Sequence, residues 1–449
     1  MMEGFIMAGQ LLLGLTVLVG LHEWGHFIAA RIFGIRVNKF YIFFDFLFPM
    51  PNVLNFALWK KKKGDTEYGI GWFPMGGYVD IEGMIDETKD ASKLASEPQP
   101  YEFRAKPAWQ RLIVMLGGII VNLVLGVLIF WAVTYRAGDN FLSMKEVNKL
   151  GIVAYPIAEE IGLKTGDKIL SVSGKEIENF SDVINSDVIL GENVYFSVMR
   201  DGKAIEIPIP NDLYEKLSDE ESKGFIDALQ TFTVGEVVPD TPAEEVGLSE
   251  GDKIVKFNGE DVSYYHQFTA LAEKNANKEV VLAIKRNADT LIVKPTLSET
   301  GKLGFQSKPG LNYEHKDLSV GASLVLGSQR AFSVITDNIK GFKKIFTGQV
   351  SAGKALAGPV GIARRFYGGV WDWARFWMIT GMLSMALAFM NLLPIPALDG
   401  GHAVLLIYEM ISGRQPSVKF MERTQQVGMV ILLGLLVWIM FNDTMQALF

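Results

Sequence analysis

The stretch that decides the reading runs from Gly4 to His22, GFIMAGQLLLGLTVLVGLH, and continues as Glu23-Trp24-Gly25-His26. No Asp, Glu, Lys or Arg interrupts its apolar part. A hydrocarbon core about 30 Å thick needs roughly 20 apolar residues in helix, so this run is expected to cross a bilayer. No Lys or Arg precedes it and no small-residue cleavage site follows, so it is expected to stay in the mature protein rather than leave as a signal peptide. At its end His22 and His26 stand at i and i+4, on one side of a helix and one turn apart, a spacing that lets both imidazoles ligate one zinc. Glu23 is the adjacent carboxylate, suited to take a proton from water and pass it to a leaving amine. Three ionisable side chains within five residues at membrane depth are costly without compensation, and a cation in a protein-lined aqueous cavity supplies it.

The rest of the 449 residues fits a membrane chain of two to four domains. Hydrophobic residues make up 49% and charged residues only 21%, too apolar for an ordinary soluble enzyme. A net charge of -7 argues against a nucleic-acid partner, whose affinity comes largely from basic contacts to phosphate. Cysteine is absent, so any metal must be held by His, Asp or Glu. Of the five histidines, His266 and His315 lie in a soluble-looking region and are read as exposed residues without a role.

Three more stretches lack charged residues, Leu112 to Tyr135, Phe376 to Leu398 and Thr424 to Asn442, giving four expected crossings. Arg31, Arg36, Lys39, Arg104, Lys106, Arg111, Arg414, Lys419 and Arg423 flank one set of segment ends; Arg136, Lys145, Lys149, Arg364, Arg365 and Arg375 flank the other. This bias puts both termini outside and the first loop in the cytoplasm. Lys60 to Lys63 agrees with that loop, as a solvated tip or as a lipid contact.

Catalytic zinc uses three protein ligands and an open fourth position. The first and third crossings run in the same direction, so their cytoplasmic ends coincide, and Asn391-Leu-Leu-Pro-Ile-Pro-Ala-Leu-Asp-Gly-Gly-His402 closes the third. Asp399 is therefore the expected third ligand. Pro394 and Pro396 break the helix, freeing backbone groups that are tolerable where they line a cavity. Gly400 and Gly401 permit a sharp turn. His402 either orients Asp399 or a water, or merely follows the turn.

Between the second and third crossings Ala158-Glu-Glu-Ile-Gly-Leu-Lys-Thr-Gly-Asp-Lys-Ile169 recurs as Ala243-Glu-Glu-Val-Gly-Leu-Ser-Glu-Gly-Asp-Lys-Ile254, identical at nine of twelve positions. Each copy continues into strand-like alternation and a glycine turn. The pair resembles tandem PDZ domains, which bind peptides by strand addition. Spacers or steric filters without a ligand are the alternative.

H-E-x-x-H and Asn-x-x-Pro-x-Pro-x-Leu-Asp-Gly-Gly together resemble the site-2 protease family of intramembrane zinc metalloproteases, and the tandem repeat resembles its bacterial regulator-of-sigma-E protease-like members. Phe73-Pro-Met-Gly-Gly-Tyr-Val79, Phe103-Arg-Ala-Lys-Pro-Ala-Trp-Gln-Arg111 and Leu356-Ala-Gly-Pro-Val-Gly-Ile362 extend the likeness over nearly the whole chain. One departure is Gly118-Ile119-Ile120-Val121-Asn122, where family members often have Gly-Pro-x-x-Asn. The resemblance implies His22, His26 and Asp399 as ligands of one Zn2+ per chain, Glu23 as general base and acid, and Asn391 as a helper near substrate or metal. Asn122, Gly76, Gly77 and Tyr78 complete the expected substrate contacts, since a strand edge can hold an unwound substrate segment by main-chain pairing.

The expected fold is a polytopic α-helical membrane protein with four transmembrane helices, a membrane-associated β-hairpin region and two inserted α+β PDZ-like domains. Residues 1–35 form the first helix, 36–111 a β-rich loop and 112–135 the second helix. Residues 136–220 and 221–300 form the two PDZ-like domains, and 301–375 a linker with amphipathic helix. Residues 376–403 form the third helix, 404–423 a cytoplasmic loop and 424–449 the fourth helix with a tail. The implied activity is peptide-bond hydrolysis inside a single-span membrane protein, an anti-sigma factor or remnant signal peptide, after a first outer-face cut. The implied setting is a bacterial inner membrane, with the repeats outside as a size filter and open to peptide ligands. A membrane-tethered PDZ scaffold without proteolytic activity is the rival.

Overall fold

A computed structural model describes residues 2–47, 50, 53–74, 76–84, 97–217, 224–355, 358–367 and 369–448. Met75, Leu356 and Ala357 of the quoted motifs, and the 220/221 domain boundary, lie outside the described residues. The chain divides into two compact units, one of Met1–Gly138, Asp317–Phe346 and Ala352–Phe449, the other of Asp139–Lys316 and Thr347–Ser351.

Among the described residues the first unit holds six long helices: α1 (Met2–Ile32), α2 (Ala108–Ala137), α3 (Val320–Phe346), α4 (Trp373–Leu392), α5 (Asp399–Ser412) and α6 (Val418–Leu448). Of these, α1, α2, α4 and α6 are long and apolar enough to cross a membrane. Helix α2 is central, with α1, α3, α4 and α5 all packed on it. Lipid is as apolar as leucine, so association here depends on close packing, and small residues allow it. At the crossing of α1 and α2, a Cβ on Gly25 would lie 2.3 Å from the Gly117 carbonyl oxygen, and one on Gly117 would lie 2.5 Å from that of Gly25. Only glycine fits on either side. Helix α2 runs unbroken through residues 118–122, as expected where Ile119 stands in place of a proline.

The loop after α1 is a four-stranded sheet of β1 (Val37–Ile42), β2 (Ala57–Lys63), β3 (Thr66–Gly71) and β4 (Tyr78–Ile81), in the order β2-β3-β1-β4. β1 and β3 are parallel; the other two pairings are antiparallel. The buried Tyr41 ring lies over Gly69 and stacks on Tyr78, their centroids 5.3 Å apart. Tyr41 donates to Glu67 (2.8 Å) and Tyr78 to Asp45 (2.9 Å). Burial first, then the facing carboxylates, push both phenols up, so they remain protonated donors. Lys60 to Lys63 belong to strand β2 rather than to a loop tip.

The third crossing ends earlier than the sequence suggests, at Leu392. Pro394 and Pro396 have no N–H to continue the helix. A tight turn follows, closed by Ile395 N–H to Leu393 O (2.7 Å) and Leu398 N–H to Ile395 O (3.1 Å). Ala397 holds φ at +74°, a strained value for a residue with a Cβ. Asp399 then opens α5, which takes up residues 404–412 of the span expected to be a cytoplasmic loop and is ended by Gly413 in the left-handed region (φ +66°). Gly400 and Gly401 start that helix, and their lack of a Cβ serves close approach. On Gly400 it would lie 2.3 Å from Leu393 O, and on Gly401 2.5 Å from Ile395 O.

In the second unit the two repeats build matching sheets. Lys175–Glu176, Lys168–Val172, Tyr195–Arg200 and Lys203–Pro208 form one; Glu260–Asp261, Lys253–Phe257, Leu282–Arg286 and Asp289–Val293 form the other. The repeated Gly-Asp has the same task twice. Arg200 donates to both oxygens of Asp167 (2.7 and 2.6 Å) and to Gly162 O (2.7 Å); Arg286 does the same to Asp252 (2.7 and 2.7 Å) and Gly247 O (2.7 Å). Ile226–Ala228, which the sequence puts in the second repeat, pairs with Ile152–Ala154 of the first. Phe305–Pro309, beyond residue 300, pairs with Phe232–Val237. His266 is half-buried, and that burial lowers its pKa; exposed His315 lies 2.6 Å from Asn140 Oδ1.

Candidate metal centre and active site

Helix α1 presents His22 and His26 on its buried face, one turn apart. The first residue of α5 meets them. Asp399 Oδ2 lies 3.2 Å from His22 Nε2 and 3.3 Å from His26 Nε2, and the two Nε2 atoms are 3.2 Å apart. Among the described residues this is the one group of three or more His, Cys, Asp or Glu side chains so placed that they could hold a metal ion.

The proton inventory says what belongs between them. His26 Nδ1 lies 2.9 Å from the Val114 carbonyl oxygen, which can only accept, so the neutral ring carries its proton there and turns a bare Nε2 inward. His22 Nδ1 is 3.1 Å from Asn122 Nδ2, while Asn122 Oδ1 is buried without a partner; turning that amide over lets Oδ1 accept from Nδ1–H and leaves the His22 Nε2 bare as well. Asp399 Oδ2 is buried without a hydrogen-bond donor. With both rings in those tautomers three lone-pair atoms converge, an arrangement that repels itself unless a cation stands among them. A tetrahedral zinc about 2.0–2.1 Å from each donor needs donors roughly 3.3–3.4 Å apart, which the observed triangle meets with one vertex open. The residues fit the group.

A cavity of about 400 Å³ opens beside the triangle. Glu23, Asn391, Gly76, Gly77 and Tyr78 all line it with the three candidate ligands, joined by His402, Ala397 and apolar residues including Val19, Met115 and Leu387. Asn391 Nδ2 is 3.4 Å from His22 Nε2. Tyr78 belongs to β4, an edge strand of its sheet, so that edge faces the cavity. Asn122 differs from expectation. It is fully buried behind His22, outside the cavity lining, and Ser384 Oγ donates to its backbone carbonyl (2.8 Å). Its side chain turns to the His22 imidazole rather than into the cavity, the geometry of a group that orients that ring. The His402 Nε2 lies 2.7 Å from the Gln425 side chain on α6.

Sequence reasoning missed Val114, Gly117 and Gly118. A Cβ on Gly118 would lie 2.5 Å from His22 Cε1 and 2.6 Å from His26 Nε2, so the bare glycine makes room for both rings. The available signal was a pair of adjacent glycines inside an apolar helix, where each costs about 1 kcal/mol against alanine and needs a packing reason.

Residues 10–435 match the family described as Peptidase family M50. The chain belongs to peptidase family M50. It is 28% identical to the Haemophilus influenzae protein named regulator of sigma E protease, over 98% of each chain. It is 26% identical to regulator of sigma-E protease RseP of Escherichia coli, covering 96% of this chain and 97% of that one. A Xylella fastidiosa protein named putative zinc metalloprotease is likewise 26% identical over 96% of this chain and 97% of its own. As an M50 peptidase with four helices able to cross a membrane, this chain is a polytopic membrane metalloprotease.

Proposed function

We propose that this M50 peptidase hydrolyses a peptide bond within the transmembrane segment of a single-span membrane protein, using one zinc ion per chain held by His22, His26 and Asp399. The observation that carries the reading is the triangle of His22 Nε2, His26 Nε2 and Asp399 Oδ2, 3.2–3.3 Å apart, where the charge-free run of α1 ends and α5 begins. When bound, the ion supplies a Lewis acid that brings the pKa of a water toward about 7. Glu23, on the same cavity wall, accepts a proton from the attacking water and returns it to the leaving amine. Asn391 directs its amide N–H toward the oxygen on which charge develops. A substrate helix conceals its scissile carbonyl in its own hydrogen bonds, so hydrolysis requires local unwinding, and the β4 edge offers main-chain partners to the freed strand.

With the amino terminus outside, the repeat unit follows α2 and precedes α4 on the outer face of a bacterial inner membrane, and the site lies toward the cytoplasm. Its two repeats act as PDZ-like domains that exclude substrates with bulky outer parts until another protease trims them. The natural substrates are then an anti-sigma factor already shortened outside, or a remnant signal peptide. Reconstituted Glu23→Gln protein tests the chemistry: cleavage of a single-span substrate should fall by at least ~100-fold while bound zinc stays near one per chain. A scaffold would be indifferent to the change, so undiminished cleavage ends the proposal.

A further inference from the structure

The sheet that carries the β4 edge also carries a surface the reaction does not use. In β2 every residue from Leu58 to Lys63 is exposed, on both faces of the strand. Leu58 is 67% exposed and Trp59 51%, beside exposed Leu54, Phe56 and Ile70. Lys60, Lys61, Lys62 and Lys63 follow, none with an ion-pair partner among the described residues. The nearby acids are already engaged, Asp65 by Arg36 (2.7 Å) and Glu67 by the Tyr41 hydroxyl (2.8 Å).

Contacts with α1 give the depth of each end. Ile42 lies against Gly20, inside the charge-free run of the helix, and the registers Ile42↔Ile70 and Trp59↔Ile70 bring Trp59 to that level. The Phe27 ring packs on Phe40 and Tyr68, with centroids 5.5 and 6.0 Å away, and Tyr68 is the cross-strand partner of Lys61. Phe27 is about one turn beyond His22, where the charge-free run ends, which is headgroup depth. The strand therefore stands along the membrane normal with leucine and tryptophan toward the acyl chains and four lysines at the phosphates.

We infer that Lys60–Lys63 form a binding surface for anionic phospholipid headgroups of the cytoplasmic leaflet. Docking there seats the whole sheet, and with it the height of the β4 edge beside the metal site, because β2 and β4 are edges of one hydrogen-bonded sheet. Near an anionic surface each lysine shifts a seated-to-lifted equilibrium by about fivefold, so four should shift it by well over tenfold even after screening.

The chain has no cysteine, so Leu58→Cys places a single spin label on the full-length protein. The label's depth is read in bilayer discs of phosphatidylcholine alone and of phosphatidylcholine with phosphatidylglycerol. The expected result is a deep, ordered label with phosphatidylglycerol and a shallower, mobile population without it, at high salt, or after replacing all four lysines by glutamine. The glutamine variant should keep its zinc and its melting temperature, since all four side chains are exposed. Equal depth in both lipids, or equal depth before and after the lysine replacement, overturns the inference. Glu23→Gln should leave the label where it is, so failure here and failure of the hydrolase reading are separate results.

Discussion

Gly118→Ala puts the metal site to its sharpest steric test. The new methyl would sit 2.5 Å from His22 Cε1, 2.6 Å from His22 Nδ1 and 2.6 Å from His26 Nε2. Ordinary contact needs about 3.5 Å, so each ring must yield by roughly 1 Å, or α2 must retreat from α1. Retreat is opposed by Gly25 and Gly117, already in close backbone contact. A ligand site tolerates about 0.2 Å, so a 1 Å shift should lower zinc affinity by at least ~10–100-fold. Global stability should change much less. Overpacking costs about 1–3 kcal/mol, and the gain in helix propensity over glycine offsets about 1 kcal/mol of that. The assay is zinc per chain by mass spectrometry after dialysis against a competing chelator, with a melting curve on the same sample. Gly126→Ala is the control: its methyl meets Met385 Sδ at 2.4 Å, the flexible part of a side chain that can swing aside, so zinc should be retained. If Gly118→Ala holds zinc with unaltered affinity and still cleaves, the view that α2 shapes the ligand triangle is wrong.

Arg111, near the start of α2, is buried against Glu409 on α5, whose first residue is the proposed third ligand. Arg111→Met should cost about 3–5 kcal/mol and weaken zinc binding by leaving Glu409 unpaired, and adding Glu409→Met should recover much of both in a paired melting and metal assay. Asp399→Asn should reduce bound zinc well below one per chain with the fold intact; full retention would remove Asp399 from the ligand set. In the second repeat, hydrogen bonds from Arg286 chiefly hold the Asp252 carboxyl below the usual carboxylate range. A depressed folded pKa contributes stability above about pH 4 that fades as pH falls further, so hydrogen exchange in residues 253–286 should quicken in acid. Arg286→Met should remove that acid dependence and lower local stability; an unchanged exchange profile would contradict it.

What the sequence makes legible follows from how local each constraint is. The His22–His26 pair needs only helical periodicity, and Asp399 needs only the alternation of crossing directions, so both can be read before any coordinates. The residues that finish the site resist such reading because their meaning lies in what faces them. Gly118 is one more small residue in an oily helix until two imidazoles are found against it, and Asn122 is a spare amide until His22 Nδ1 is found 3.1 Å away. Helix α5 was hidden for a related reason: Pro394, Pro396, Gly400 and Gly401 signal a stop, yet the glycines serve packing, and a new helix starts at the ligand itself. Ile226–Ala228 spans three residues, too few for alternation to register, and its partner Ile152–Ala154 is more than seventy positions away. The parallel pairing of β1 with β3 is equally non-local. The two kinds of information meet at one point of chemistry. A helix supplies two of the proposed ligands by its own pitch, while the proposed third arrives on a strained turn at Ala397, clamped by glycine-close contacts and by Arg111 on Glu409. Metal affinity should therefore respond more to changes in that clamp, far from the ion in sequence, than to most substitutions along α1 outside His22 and His26.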